Sequence, residues 1–156
     1  MLSPKGRCGT GMFGNEPIPP LNGPDPCGDP FASRRWVAKM QNTVLVVEDD
    51  PSLLMMLSVT LRSSGHTVVL SSDAELALET LPEESPDVIL CDVNLPGMKG
   101  TEFTEIVKAA PHLADTPVVL MSAYDEPRNH AADAFVSKPF DPIEVTELVE
   151  ELASRK

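Results

Sequence analysis

The sequence predicts an α/β protein: a doubly wound sheet of five parallel strands with helices on both faces. Three observations predict it. Short apolar runs rich in Val stand at residues 43–47, 67–70, 88–91, 118–121 and 134–136. Segments of helical period lie between them, several opened by an Asp in the capping position. Acidic residues follow the first and third runs directly, as expected where strands deliver polar groups to one rim. Alternation of this kind gives parallel strands joined by right-handed crossovers, and Val-rich runs suit strands covered on both faces.

The elements follow in order. "TVLVV" at 43–47 is the first strand. Asp50 caps the helix after it, with Pro51 in the first position, a stripe of Leu53, Leu54, Leu57 and Leu61, and Gly65 as the stop. The second helix follows Asp73 and turns Ala74, Ala77, Leu78 and Leu81 inward. A third covers roughly 101–110 through Phe103, Ile106 and Val107, ending before Pro111. The last begins at Asp141 with Pro142 next and Glu144 three residues after the cap, and presents Val145, Leu148, Val149 and Leu152.

Composition divides the chain. Residues 1–41 hold seven of the sixteen prolines and six of the nine glycines with no regular period, so this Pro/Gly-rich tail is expected to be disordered and residues 42–156 to form one domain. The tail carries five basic and three acidic side chains, which leaves seven basic and twenty-one acidic for the domain, a charge near −14. A phosphate-binding surface needs clustered Lys and Arg, so neither direct nucleic-acid contact nor an anionic membrane is expected. No apolar run approaches the ~18 residues that span a bilayer, and a cytoplasmic location is expected. Cys8, Cys27 and Cys91 are too few and scattered for a disulfide framework or a closed zinc site and read as free thiols, Cys91 as a packed one.

In an open α/β sheet, ligands sit beyond the carboxyl ends of the strands. Glu48 and Asp49 end the first strand, Asp92 the third and Ser122 the fourth, while Lys138 follows the fifth, so all five groups should meet at one rim. Three carboxylates in one place repel one another, by about 4 kcal/mol per pair at 4 Å in an effective dielectric of ~20. Lys138 and a divalent cation would balance them. With oxygen ligands, no His nearby and Cys91 packed within the strand, the cation should be Mg²⁺.

These motifs carry a resemblance. Residues 43–154 resemble the receiver domain of bacterial two-component response regulators, a flavodoxin-like fold: an acid pair after the first strand, "DVNLPGMKG" after the third, "MSA" after the fourth and "SKPF" after the fifth. The resemblance implies that Asp92 is the phosphoacceptor for a histidine kinase or histidine phosphotransfer protein, and that the domain is a signalling phosphoacceptor rather than an enzyme. It implies that Asp49 binds Mg²⁺ directly, that Glu48 acts on it mainly through water, and that Asn94 lends its backbone carbonyl. Ser122 and Lys138 would meet the phosphoryl oxygens, Phe135 would be the aromatic switch residue, and Pro139 would follow a cis bond. Phosphoryl transfer needs such an in-line nucleophile, with a metal and a cation holding the equatorial charge.

One departure stands out. Fifteen residues separate Ser122 from Lys138, where the family usually has about six more, so the fourth helix should be shortened or absent. The chain is expected to be a stand-alone receiver or a receiver module cut from a larger regulator, with output, at least within this chain, through a downstream protein target. The competing reading is a pseudo-receiver that keeps the fold and serves as a constitutive interaction module. An aspartyl phosphatase is disfavoured because Asn94 stands where such hydrolases typically carry a second acid.

Overall fold

A computed structural model describes residues 41–155 of the chain. The disorder expected of residues 1–41 therefore concerns a segment outside the described residues, save for Gln41. Five strands form one parallel sheet: β1 (Thr43–Val47), β2 (Thr67–Ser71), β3 (Val88–Asp92), β4 (Val118–Ser122) and β5 (Ala134–Ser137). Four helices join or follow them: α1 (Pro51–Ser63), α2 (Ala74–Glu84), α3 (Gly100–Ala109) and α4 (Pro142–Ala153). The strand order is β2-β1-β3-β4-β5, so β1 lies inside the sheet and the order runs outward from it both ways.

Alternation along each strand makes two cores. Leu45, Val47, Ile89, Cys91 and Leu120 face α2 and α3, where Ala77, Leu81, Phe103 and Val107 meet them. Val44, Val46, Leu90, Val119 and Met121 face α1 and α4, against Leu57, Leu61, Val145 and Val149. β3 and β4 are buried at every residue, as their apolar runs predict. β2 and β5 are not, because they are the sheet's edges: Leu70 is exposed and all of β5 is half-buried or exposed. A Val-rich run does not by itself distinguish a central strand from an edge.

The helix starts follow the sequence. Asp50 accepts the Ser52 amide at 2.8 Å, Asp73 that of Leu76 at 2.8 Å, and Asp141 that of Ile143 at 2.9 Å. The third helix needs a correction. Ile106 lies on its exposed side, and the inward stripe is Gly100, Phe103, Thr104 and Val107, the i, i+3, i+4, i+7 set. Thr104 is buried there because its hydroxyl donates to the Gly100 carbonyl at 2.7 Å, which removes the cost of hiding it.

Residues 123–133, between β4 and β5, contain neither helix nor strand. β5 is nevertheless in register, with Val119 opposite Ala134 and Ser122 opposite Ser137. Asp133 achieves this with two bonds, its amide donating to Val118 O at 2.9 Å and its carboxylate accepting the Val118 amide at 2.7 Å. Lys108 pairs with the same carboxylate oxygen at 2.7 Å. The pairing at the head of β3 is similar: Asp87 donates to Thr43 O at 2.7 Å and accepts the Thr43 amide at 2.8 Å. A carboxylate one residue before the strand thus sets its register whether or not a helix precedes it.

Candidate functional site

The sheet hydrogen bonds run past the strand ends and carry the polar residues to one rim. The Glu48 amide donates to Ser71 O at 3.1 Å, the Val93 amide to Met121 O at 2.9 Å, and the Lys138 amide to Ser122 O at 2.7 Å. At that rim Glu48, Asp49 and Asp92 each offer a carboxylate oxygen, all within 4.8 Å of one another. Glu48 and Asp92 are buried and Asp49 is exposed, so the cluster opens to solvent on the Asp49 side. Lys138 reaches in from behind β5, its Nζ 2.7 Å from Glu48 Oε2 and 3.0 Å from Asp92 Oδ1.

The electrostatics follow from this packing. Burial holds the Glu48 carboxyl above its ordinary value of 4.5, with the Asp92 charge adding to the effect and the Lys138 bond and charge opposing it. Burial alone would lower Lys138, but its bonds to Glu48 and Asp92 outweigh that and keep the ammonium above its ordinary 10.5. Cys91, one residue before Asp92, is pushed up by burial and by the Asp92 and Glu48 charges, so it stays a packed thiol.

The remaining predicted residues occupy the same rim or its edge. Ser122 is buried at the end of β4, and its Oγ accepts the Tyr124 amide at 3.1 Å. Asn94 is exposed in the loop after β3. Phe135 is half-buried on β5 and packs against the α2/α3 core. The Lys138–Pro139 peptide bond is cis.

Three contacts at this rim were not evident from the sequence. The loop between β3 and α3 is held by two carboxylates, Glu75 Oε1 accepting the Met98 amide at 3.0 Å and Glu102 Oε2 accepting that of Lys99 at 3.1 Å. Glu102 carries a local signal, three residues after the residue that opens α3, although Lys99 is an unusual residue in that place. Glu75 has none, because its partner lies 23 residues away. Gly100 packs so closely on the Asp92 carbonyl that a Cβ there would overlap it, and would also crowd Cys91 Sγ at 3.1 Å.

The donor set fits a hard divalent cation: oxygen ligands only, three acids in one cluster, and an open side for water. A single lysine against two buried acids and a third at the mouth leaves net negative charge to be met.

Comparison with known proteins bears on the family and the fold. The sequence model of the response regulator receiver domain matches residues 44–150. The DNA-binding response regulator MtrA of Mycolicibacterium smegmatis is 35% identical over 112 residues, 68% of this chain and 48% of MtrA. The chain spans about half the length of the curated relatives it matches. The chemotaxis response regulator CheY4 of Vibrio cholerae has a TM-score of 0.67 at 29% identity, over 72% of this chain and 98% of CheY4. The receiver domain of the sensor histidine kinase PA1611 from Pseudomonas aeruginosa has a TM-score of 0.68 at 24% identity, over 73% of this chain and 98% of that domain. It shares the fold and carries a magnesium ion in its active-site cleft.

Proposed function

The chain belongs to the response regulator receiver domain family, whose members are signalling domains of two-component systems, and on that premise we propose that its residues 42–156 accept a phosphoryl group on Asp92 and switch a protein contact in response. The observation that carries this reading is the Asp92 carboxylate, buried at the rim with Glu48 and Asp49 within 4.8 Å and Lys138 at 3.0 Å.

In the proposed reaction an Asp92 carboxylate oxygen attacks the phosphorus of a phosphohistidine on a kinase or phosphotransfer protein. The P–N bond breaks, its electron pair leaves with the imidazole, and an acyl phosphate remains. Glu48, Asp49, Asp92 and the Asn94 carbonyl are the groups that would hold Mg²⁺, with Asp49 in direct contact and Glu48 acting mainly through water. Bound there, the ion supplies positive charge to the phosphoryl oxygens. Lys138 already pairs with two acids at this point, and transfer places new anionic oxygens within reach of the same ammonium. The Ser122 hydroxyl uses its oxygen as an acceptor for Tyr124, so its hydrogen is left to donate to a phosphoryl oxygen. Phe135, half-buried beside β4, is the side chain whose position would follow Ser122.

Output would pass to a downstream protein. The acidic charge of residues 42–156 makes this domain itself a poor match for DNA, and any DNA binding by a larger regulator would belong to other segments. Among the described residues no helix is long and apolar enough to cross a membrane, and a cytoplasmic site of action is part of the proposal.

Incubation with acetyl phosphate and Mg²⁺ tests the reading. The protein should be labelled once, at a bond labile to hydroxylamine, and Asp92→Asn should abolish the label. Undiminished labelling of Asp92→Asn overturns Asp92 as acceptor, and no labelling of the wild type by any phosphodonor favours the pseudo-receiver.

A further inference from the structure

We infer that Glu75, on α2, is a positioning residue for the phosphoacceptor site: its carboxylate fixes the β3–α3 loop that carries Asn94 and leads to the Gly100 contact with Asp92. The inference rests on the proposed receiver chemistry.

The loop Val93–Lys99 is closed at its base, where the Gly100 amide donates to Val93 O at 3.0 Å. Inside that closure Leu95 is anchored in the α2/α3 core, 2% exposed. Beyond Leu95 the chain turns outward through Gly97 at φ +73, and the Glu75 carboxylate fills the space beside it. A Cβ on Gly97 would stand 2.6 Å from Glu75 Oε1, the oxygen that receives the Met98 amide at 3.0 Å. Two successive loop residues therefore meet one carboxylate oxygen. Among the described residues, the Met98 and Lys99 amides are the ones in this loop that a side chain receives, Met98 from another element and Lys99 from α3 itself.

Glu75 is not needed to start its own helix. Asp73 caps α2 by accepting the Leu76 amide at 2.8 Å, so Glu75 is free to reach across. Asn94 stands between Val93, whose amide is held by Met121 O, and the buried Leu95, and the seating of Leu95 depends on how the segment through Met98 closes the loop. Without the Glu75 bond, the segment from Pro96 to Lys99 keeps, among the described residues, the Glu102 bond to the Lys99 amide, the Phe103 amide on Lys99 O at 2.9 Å and the packing of Met98 against the core. The position of the Asn94 carbonyl then loosens, and so does the approach of Gly100 to the Asp92 backbone. The expected result is a weaker cation site with little change in the sheet.

Glu75→Ala and Glu75→Gln, compared with the wild type and with Asp49→Ala, test this. Both Glu75 variants lose the charge, but the Gln amide oxygen can still accept the Met98 bond. Amide exchange at Met98 in Glu75→Ala should be about tenfold faster, the equivalent of losing one ordinary hydrogen bond. Its Mg²⁺ dissociation constant by calorimetric titration should rise by a similar factor. Glu75→Gln should restore both values toward the wild type, and Asp49→Ala should lose Mg²⁺ with Met98 exchange unchanged. Wild-type exchange and wild-type Mg²⁺ affinity in Glu75→Ala overturn the role. So does a Gln variant as defective as the Ala variant, because charge alone would then explain the loss. A wild type that binds no Mg²⁺ overturns the receiver chemistry instead, while Met98 exchange still decides whether Glu75 holds the loop.

Discussion

Lys138 Nζ donates to Glu48 Oε2 at 2.7 Å, joining two residues 90 apart in the sequence. The bond does not bring Glu48 down to an ordinary carboxyl, because burial and the neighbouring Asp92 hold it above 4.5. In the metal-free protein the native state therefore keeps a proton on Glu48 at a pH where the unfolded chain has lost it. Stability from this group is full below about pH 4.5 and falls as pH rises through the higher native value. Lys138 has its own window: its contribution is full below 10.5 and is lost above that, toward its raised native value. Melting curves in EDTA from pH 4 to 8 should show wild type losing stability relative to Glu48→Gln as pH rises. A constant difference between the two would show that Glu48 is not perturbed.

Mg²⁺ should reverse that trend, since it binds the ionised cluster. At a hundredfold excess over its dissociation constant a ligand of the native state adds about 2.7 kcal/mol, which the melting temperature reports. Asp49→Ala should melt slightly higher than wild type in EDTA, a small gain because Asp49 is exposed and screened, and should gain nothing from millimolar Mg²⁺. An Asp49→Ala protein that still responds to Mg²⁺ contradicts the direct ligand role.

Gly100→Ala should destabilise the protein by about 1–3 kcal/mol, the usual cost of overpacking. In an open helix the same change would stabilise by up to about 1 kcal/mol, because Ala is the better helix former. The sign therefore isolates the close approach of Gly100 to the Asp92 carbonyl. Chemical denaturation measures it, and acyl phosphate formation should slow in the same variant as the Asp92 backbone is displaced. A more stable Gly100→Ala would mean that α3 yields without cost.

Strands and helix starts were legible in the sequence because their signals are local: a Val-rich run, or an Asp one residue before the first helical turn. Asp50, Asp73 and Asp141 all cap where expected. Phe103, Ile106 and Val107 are themselves an i, i+3, i+4 set, so helical phase alone does not exclude Ile106 from the buried face. Thr104 shares the i, i+3, i+4 row of Gly100 and Phe103 and can be buried through its own bond to Gly100, which leaves Ile106 outside. The acids and Lys138 could be brought together because the topology sends the strand ends to one rim. Glu75 could not be placed, since a bond from a side chain to an amide 23 residues on depends on the packing of α2 against the loop. The edge exposure of β2 and β5 depended on strand order, which the runs themselves do not encode.

The segment between β4 and β5 should be the part of the domain that responds to phosphorylation. It has no regular structure, and the residues from Ala123 to Glu126 are exposed. Its far end is fastened, since Asp133 holds Val118 with two bonds and Lys108 at 2.7 Å. Its near end hangs on Ser122, whose Oγ accepts the Tyr124 amide at 3.1 Å. Between them, His130 meets Glu126 at 2.8 Å and accepts the Ala132 amide at 3.2 Å, bonds internal to the segment. Local stability follows buried contacts, so amides from 123 to 131 should exchange quickly in the free protein, while those of Asp133 and Val118 are protected. Turning Ser122 toward a phosphoryl oxygen would draw the near end inward with it, and Phe135 lies on the neighbouring strand to pack against the moved chain. The segment would then order against β4 and β5, a disorder-to-order switch in place of a helix shift. Hydrogen exchange with and without beryllofluoride should show slowing confined to 123–133 and the Phe135 strand, and Ser122→Ala should remove most of it. High protection in the free protein, or slowing that survives Ser122→Ala unchanged, would show that the signal leaves the rim by another route.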